Sequence, residues 1–270
     1  IRVSGAPARS DQKYCMRQFI ILVSVSAVLL LCCSGGSSSG AAARTDFAPG
    51  KSAEPDSAMV AYLTGKFDFV QHPDFELVSE AYTDRSGMYL RKETVAAFKK
   101  MHEAARREGI TLTIISATRN FYRQKEIWEG KWARFAAETP DPEARARRIL
   151  EYSSMPGSSR HHWGTDIDLN DLENHAFEAG GPHARVYSWL VKNAHRYGFG
   201  QPYTPKGSDR PAGYNEEKWH WSYLPLSKPF LQQYERLISD DQITGFTGAE
   251  MASKIGIVRH YVLGISPSCK

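Results

Sequence analysis

The stretch Pro156-Gly157-Ser158-Ser159-Arg160-His161-His162-Trp163-Gly164-Thr165-Asp166-Ile167-Asp168 packs two imidazoles and two carboxylates into a loop that enters a strand. Metal binding is the first chemistry such a cluster suggests. A catalytic zinc ion takes three protein ligands of nitrogen or oxygen type and keeps a fourth position open. His161 and Asp168 supply two of them if the turn at Gly164 brings the loop back on itself. Asp166 and Asp168 stand two apart on the expected strand and share a face, so that one can ligate while the other acts from behind. A second cluster, Glu217-Lys218-Trp219-His220-Trp221, sets a carboxylate three residues before a histidine. His220 is then the third ligand. Glu217, or its neighbour Glu216, is the free carboxylate that takes a proton from activated water and returns it to a leaving amine, as a metallopeptidase requires. Singly these residues are ordinary, since a histidine beside a tryptophan is usually packed in a core and a loop aspartate is usually a cap or turn residue. Their joint occurrence carries the reading.

These side chains need elements to hold them. From Arg91 to Glu108, Val95, Phe98, Met101 and Ala105 recur at helical spacing and Gly109 supplies a stop. Ile110 to Ser116 is β-branched and reads as a buried strand that leads, through Thr118-Arg119-Asn120, into a helix starting near Phe121. A further helical piece runs from Glu143 to Tyr152, and a loop from Ser153 to Arg160. Ile167 to Asn170 reads as a short strand, Val186 to Tyr197 as a helix closed by Gly198, and Trp219 to Tyr223 as a strand with alternating faces. Before these, residues 58–84 read as an irregular wrap, and after them a tail from Leu237 offers Ile255, Val258, Val262 and Leu263 as the apolar face of a terminal helix. The order mixes helices and short strands without βαβ regularity, which predicts an α+β domain with a small antiparallel sheet.

Composition bounds the rest. The chain has 270 residues, 41% of them hydrophobic, which is enough for one sizeable core. Its formal charge of +4 comes without a basic run or a basic-aromatic ladder, so nothing points to nucleic acid. Phe19 to Leu31 is an uncharged stretch, apolar but for Ser24 and Ser26, after Lys13 and Arg17, a signal-peptide pattern too short for a comfortable bilayer span. It ends at Cys32-Cys33, where Leu-Leu-Cys-Cys resembles a loose lipobox. Residues 1–33 are therefore expected to be a signal peptide or lipoprotein leader, with Cys33 the preferred site of lipidation, Cys32 the second choice and an uncleaved anchor the alternative. Met16 is a candidate true start. Residues 34–57 read as a flexible linker, 58–236 as the catalytic domain and 237–270 as a helical tail. The expected location is the cell envelope, with the chain exported and anchored to the membrane. With Cys269 alone beyond the leader, no disulfide framework stabilises the domain. Oligomeric state is not legible.

Ser159-x-His161-x-x-Gly164-x-Asp166-x-Asp168, followed about fifty residues later by Glu217-x-Trp219-His220, resembles the S-x-H-x-x-G-x-[AD]-x-D and E-x-x-H signatures of the D-alanyl-D-alanine carboxypeptidase family of zinc peptidases, the group that includes vancomycin-resistance D,D-carboxypeptidases. Ser116-Ala117-Thr118-Arg119-Asn120-Phe121-Tyr122-Arg123-Gln124 is similar to the family's S-G-Y-R-S-x-x-x-Q segment, with Ala117, Thr118 and Asn120 as departures. The similarity runs from about Tyr89 to Tyr223.

The resemblance implies the small α+β scaffold shared with lysostaphin-type peptidases and the hedgehog signalling domain. It implies one zinc ion on His161, Asp168 and His220, with Glu217 as general base and acid and Arg119 facing the scissile carbonyl. It places Ser159 and Gln124 against the substrate. Asp166 is expected to accept a hydrogen bond from a ligand imidazole and fix its tautomer, and His162 to stand behind the ligands or at the surface. Trp163, Trp219 and Trp221 read as packing, with Trp219 also able to line the pocket, and the remaining histidines have no motif context. The implied activity is hydrolysis of the terminal D-Ala-D-Ala bond of peptidoglycan stem peptides. An L,D-carboxypeptidase, a cross-link endopeptidase, a zinc amidase and a non-catalytic wall-binding module are the alternatives. Glu217 and Arg119 weigh against the last, which would dispense with a base and an oxyanion cation.

Overall fold

The structure, a computed structural model, describes residues 55–270. The leader, with Cys32 and Cys33, lies outside the described residues, as does nearly all of the linker. A first helix, α1 (Pro55–Leu63), precedes strand β1 (Phe75–Leu77), which pairs antiparallel with β2 (Tyr89–Arg91). The expected irregular wrap thus contains a helix and a strand. Helix α2 (Lys92–Arg107) buries Val95, Phe98, Met101 and Ala105, as the spacing predicts, and Gly109 turns the chain away at φ +70°.

Strand β3 is confined to Ile114–Ser116, shorter than the apolar run suggests. Ile110 and Leu112 are buried by packing rather than by ladder pairing. Helix α3 (Phe121–Arg134) starts where Asn120 Oδ1 accepts from the Arg123 amide at 2.8 Å, and α4 (Pro142–Ile149) where Asp141 caps the Ala144 amide at 2.8 Å and Pro142 sits in the first turn. A 3₁₀ turn, Arg160–Trp163, leads to β4 (Asp166–Leu169). Then follow α5 (Ala184–Asn193), β5 (Phe199–Gly200), β6 (His220–Tyr223) and α6 (Leu224–Leu237). The sequence reading places no element over α6, where Pro225 and Pro229 interrupt the composition expected of a helix. Yet Leu231 and Tyr234 form its buried face. Beyond it, the expected terminal helix is broken: α7 (Met251–Ile255) stops at Gly256, whose φ of +73° ends it, and Val258–Val262 forms a separate wide turn.

Strands β3, β4, β6 and β5 form, in that order, a four-stranded antiparallel sheet, and the fold is α+β. Directly opposed residues of antiparallel strands share a face. Ser116 opposes Asp168 and Asp168 opposes His220, so these three make one row across β3, β4 and β6. Asp166 opposes Ser222 on the same face. The other face, with Ile167, Leu169 and Trp221, packs into a core shared with α2 and α5. A register shift between Ile114 and Ser116 lets Ile114 stay in that core while Ser116 joins the polar row.

A second core gathers α1, α3, α4, α6 and the C-terminal segment, through Leu63, Trp128, Ile149, Tyr234, Phe246 and Ile257 among others. The C-terminal segment also fixes α3 by polar contacts. Trp128 Nε1 donates to the Thr247 carbonyl at 2.9 Å, and Glu129 accepts from the Thr247 amide at 2.9 Å. None of the described helices is long and apolar enough to cross a membrane.

Candidate metal centre and its cleft

His161, Asp168 and His220 are all buried and present three ligand atoms that lie within 4.8 Å of one another. Each arrives by a different route. Asp168 and His220 are cross-strand neighbours on β4 and β6, whereas His161 comes from the 3₁₀ turn that Gly164 closes in the left-handed conformation, φ +71°. Only glycine takes that conformation without cost, and a Cβ there would overlap the Phe75 ring. The expected return of the loop at Gly164 is what the structure has.

The second nitrogen of each imidazole is already engaged. His161 Nδ1 donates to the Ala117 carbonyl at 2.9 Å, and His220 Nε2 donates to Asp166 Oδ1 at 3.0 Å. This leaves Nε2 of His161 and Nδ1 of His220 facing Asp168, at 3.4 Å from Oδ2 and 3.1 Å from Oδ1. The latter pair is close, yet Asp168 Oδ1 has no hydrogen-bond partner among the described residues. Two donor atoms in contact without hydrogen-bond geometry are aimed at a third point. For metal bonds of about 2.0–2.1 Å, the edge of a tetrahedron is roughly 3.3 Å, close to the two histidine–aspartate spacings, and all three donor atoms lie within 4.8 Å of one another. The donor set of two imidazole nitrogens and a carboxylate oxygen therefore fits a zinc ion.

Charge agrees with geometry. Burial opposes ionisation of Asp168, but His161 and His220 outweigh it and hold its carboxyl well below the usual range. Burial likewise opposes a charged His220, and the carboxylates of Asp166, Asp168 and Glu217 crowded around the ring overcome it, favouring positive charge here and raising its pKa well above the ordinary value. Three buried carboxylates converge on one imidazole, an arrangement that a divalent cation balances.

Asp166 is completely buried behind the ligands, where its Oδ1 also accepts from Arg160 Nε at 3.0 Å. Arg160 in turn donates to Ser222 Oγ at 2.7 Å. The buried Arg160–Asp166 pair has no motif signal, although its six-residue spacing lies within the loop already singled out. His162 is not at the surface. The segment is a 3₁₀ turn rather than an extended one, and the side chain is fully buried, with Nδ1 donating to the Arg119 carbonyl at 2.7 Å and Nε2 accepting from the Gly157 amide at 3.1 Å. It braces Arg119 against the loop.

The ligands open onto a cavity of about 550 Å³. Glu217 and Arg119 line it. Glu217 Oε2 lies 3.4 Å from His220 Nδ1, and burial raises its carboxyl above the ordinary value. Glu216 is not part of the wall, and pairs instead with Lys218 at 3.8 Å. Arg119 donates from its guanidinium to Ser116 Oγ at 2.6 Å and to Gln124 Oε1 at 3.1 Å, and stands 3.8 Å from Asp168 Oδ2. Gln124 lines the cavity with both ends of its amide in use, since Nε2 donates to the Ser154 carbonyl at 2.8 Å. Ser159 is buried at the start of the 3₁₀ turn, outside the cavity wall, and its Oγ has no hydrogen-bond partner among the described residues. Trp219 lines the cavity, while Trp163 and Trp221 are core residues. Lys131, Tyr203 and His175, which belong to no motif, also face the cavity. Lys131 was within reach of helical spacing, seven residues after Gln124 on α3. Tyr203 lies in an irregular segment where no period applies.

Comparison with known proteins gives a consistent result. A family model described as D-alanyl-D-alanine carboxypeptidase, VanY, matches residues 87–226, more than half of the chain. The chain is 30% identical over 174 residues to the putative carboxypeptidase YodJ of Bacillus subtilis (strain 168), covering 64% of this chain and 57% of that protein. It is 29% identical over 129 residues to the D-alanyl-D-alanine carboxypeptidase of Enterococcus faecalis (strain ATCC 700802 / V583), covering 47% and 45% respectively. It thus spans about half the length of these curated relatives. Among solved structures, VanYB in complex with D-Alanine-D-Alanine is similar with a TM-score of 0.46 and 24% identity, over 62% of this chain and 86% of that one.

Proposed function

The chain belongs to the D-alanyl-D-alanine carboxypeptidase family, and from that premise we propose that it is a zinc-dependent carboxypeptidase that removes the terminal D-alanine from peptidoglycan stem peptides ending in D-Ala-D-Ala. The observation that carries the proposal is the convergence of a three-residue donor set, a free buried carboxylate and a guanidinium on one cavity wall.

Zinc held by His161, Asp168 and His220 supplies Lewis acidity toward a carbonyl oxygen and makes a water molecule more acidic. Everything else is the work of the chain. Glu217, beside His220 at 3.4 Å but outside the three-residue donor set of His161, Asp168 and His220, is the base that takes the proton of the attacking water. Its raised pKa keeps that proton available for the leaving amine. Arg119 faces the same space with donors fixed by Ser116 and Gln124, so it meets the negative charge that develops on the carbonyl oxygen without having to reorganise. Asp166 holds the His220 ring with Nδ1 toward the metal, and the Ala117 carbonyl does the same for His161 Nε2.

The N-terminal reading, with export, lipidation at Cys33 and envelope location, fits a peptidoglycan substrate and remains part of the proposal. The test of specificity is product mass. Incubated with zinc, the chain should shorten a pentapeptide ending in D-Ala-D-Ala by one alanine and leave the tetrapeptide intact. Shortening of the tetrapeptide instead would assign an L,D-carboxypeptidase, and release of the whole peptide from the sugar would assign an amidase.

A further inference from the structure

Lys131 is a cation in the cavity that the proposed mechanism does not use. On α3, Gln124, Ile127 and Lys131 form one stripe facing the cavity. Seven residues of helix span about 10 Å, or roughly three residues of extended peptide. Gln124 holds Arg119, so this stripe runs from the reacting centre along the cleft. The Lys131 ammonium is half-buried and donates to Ser153 Oγ, and among the described residues no aspartate or glutamate forms an ion pair with it. Burial pushes its pKa down, with Arg134 adding to the effect and Glu217 opposing it. Arg119, the other cation of the wall, is engaged by Ser116, Gln124 and Asp168. A partly desolvated ammonium with only a hydroxyl for company is an unfavourable feature of the free protein, and an incoming carboxylate balances it.

We infer that Lys131 is the docking point for a carboxylate of the peptide substrate. This rests on the peptidase reading above. Two carboxylates of such a peptide have the right chemistry: the free C-terminus next to the scissile bond, and an acidic group a few residues before it, the second matching the span from Gln124 to Lys131. A tether between α3 and the loop that carries His161 is the competing role for Lys131, and it makes a different prediction.

Equilibrium binding to the zinc-loaded Glu217→Gln chain separates them, because no substrate is consumed. Three acetylated peptides ending in D-Ala-D-Ala serve as probes: one with a free C-terminus and no other acid, one with a C-terminal amide and a glutamate upstream, and one with neither. At least one carboxylate-bearing peptide should bind about tenfold to a hundredfold more tightly than the neutral one. Adding Lys131→Met should erase that advantage and leave the neutral peptide's affinity unchanged, while Lys131→Arg should keep most of it. The peptide that responds identifies which carboxylate docks. Equal binding of all three peptides, absence of any binding, or a Lys131→Met loss shared equally by all three would overturn the inference. Cleavage by the unmodified chain is read separately, so a failure of the peptidase reading would show as intact peptide beside an undiminished carboxylate preference.

Discussion

At the scale of single residues, the site depends on what stands behind the ligands as much as on the ligands. Asp166 accepts from both His220 and Arg160 in a space closed to solvent. Asp166→Asn keeps the shape and removes the charge, so Arg160 is left as a buried cation without its partner. Loss of one member of a buried pair costs about 3–5 kcal/mol, and loss of a partner behind a ligand lowers metal affinity about 10–100-fold. Chelator competition for zinc and thermal melting of the same variant should register both effects. Unchanged zinc affinity would mean that Asp166 does not orient His220. The residues of this site were legible in the sequence where chemistry imposes a pattern: His161, Asp168, Glu217 and His220 stand at fixed spacings. Arg160 and Lys131 were not, and for His162 the sequence left a place behind the ligands and one at the surface equally open, because burial and bonding distinguish these residues and residue type does not.

At the scale of elements, two local devices place the donors. The register shift in β3 turns Ser116 out of the core and under Arg119, and the left-handed Gly164 folds the 3₁₀ turn back over β4. Gly164→Ala must tolerate a conformation that costs roughly 1–2 kcal/mol for a residue with a Cβ. It must also displace the Phe75 ring, at a further overpacking cost of about 1–3 kcal/mol. The expected outcome is a lower melting temperature together with weaker zinc binding, since His161 moves with the turn. A variant with wild-type melting and affinity would show that the turn has room the structure denies. Elements with a clean period, such as α2 and the start of α3, could be read from sequence. Strand β5 has two residues, α6 contains Pro229, and the C-terminal apolar residues belong to several short turns, so none of these carries a period long enough to read.

At the scale of the whole molecule, the cleft is built where two cores meet. One core backs the four-stranded sheet that brings Asp168 and His220, and the other holds α3, which brings Gln124 and Lys131, with the C-terminal segment fastened across it. The donor set, the carboxylate and the guanidinium are fixed relative to one another by this arrangement and face one cavity. The most direct test is a paired measurement of zinc content and peptide mass on the unmodified chain and on Glu217→Gln, each with a peptide ending in D-Ala-D-Ala. Both proteins should carry one zinc ion. The unmodified chain should release one alanine, and Glu217→Gln should do so at least about a hundredfold more slowly. An intact peptide with zinc-loaded unmodified chain, or equal rates from the two proteins, would contradict the account.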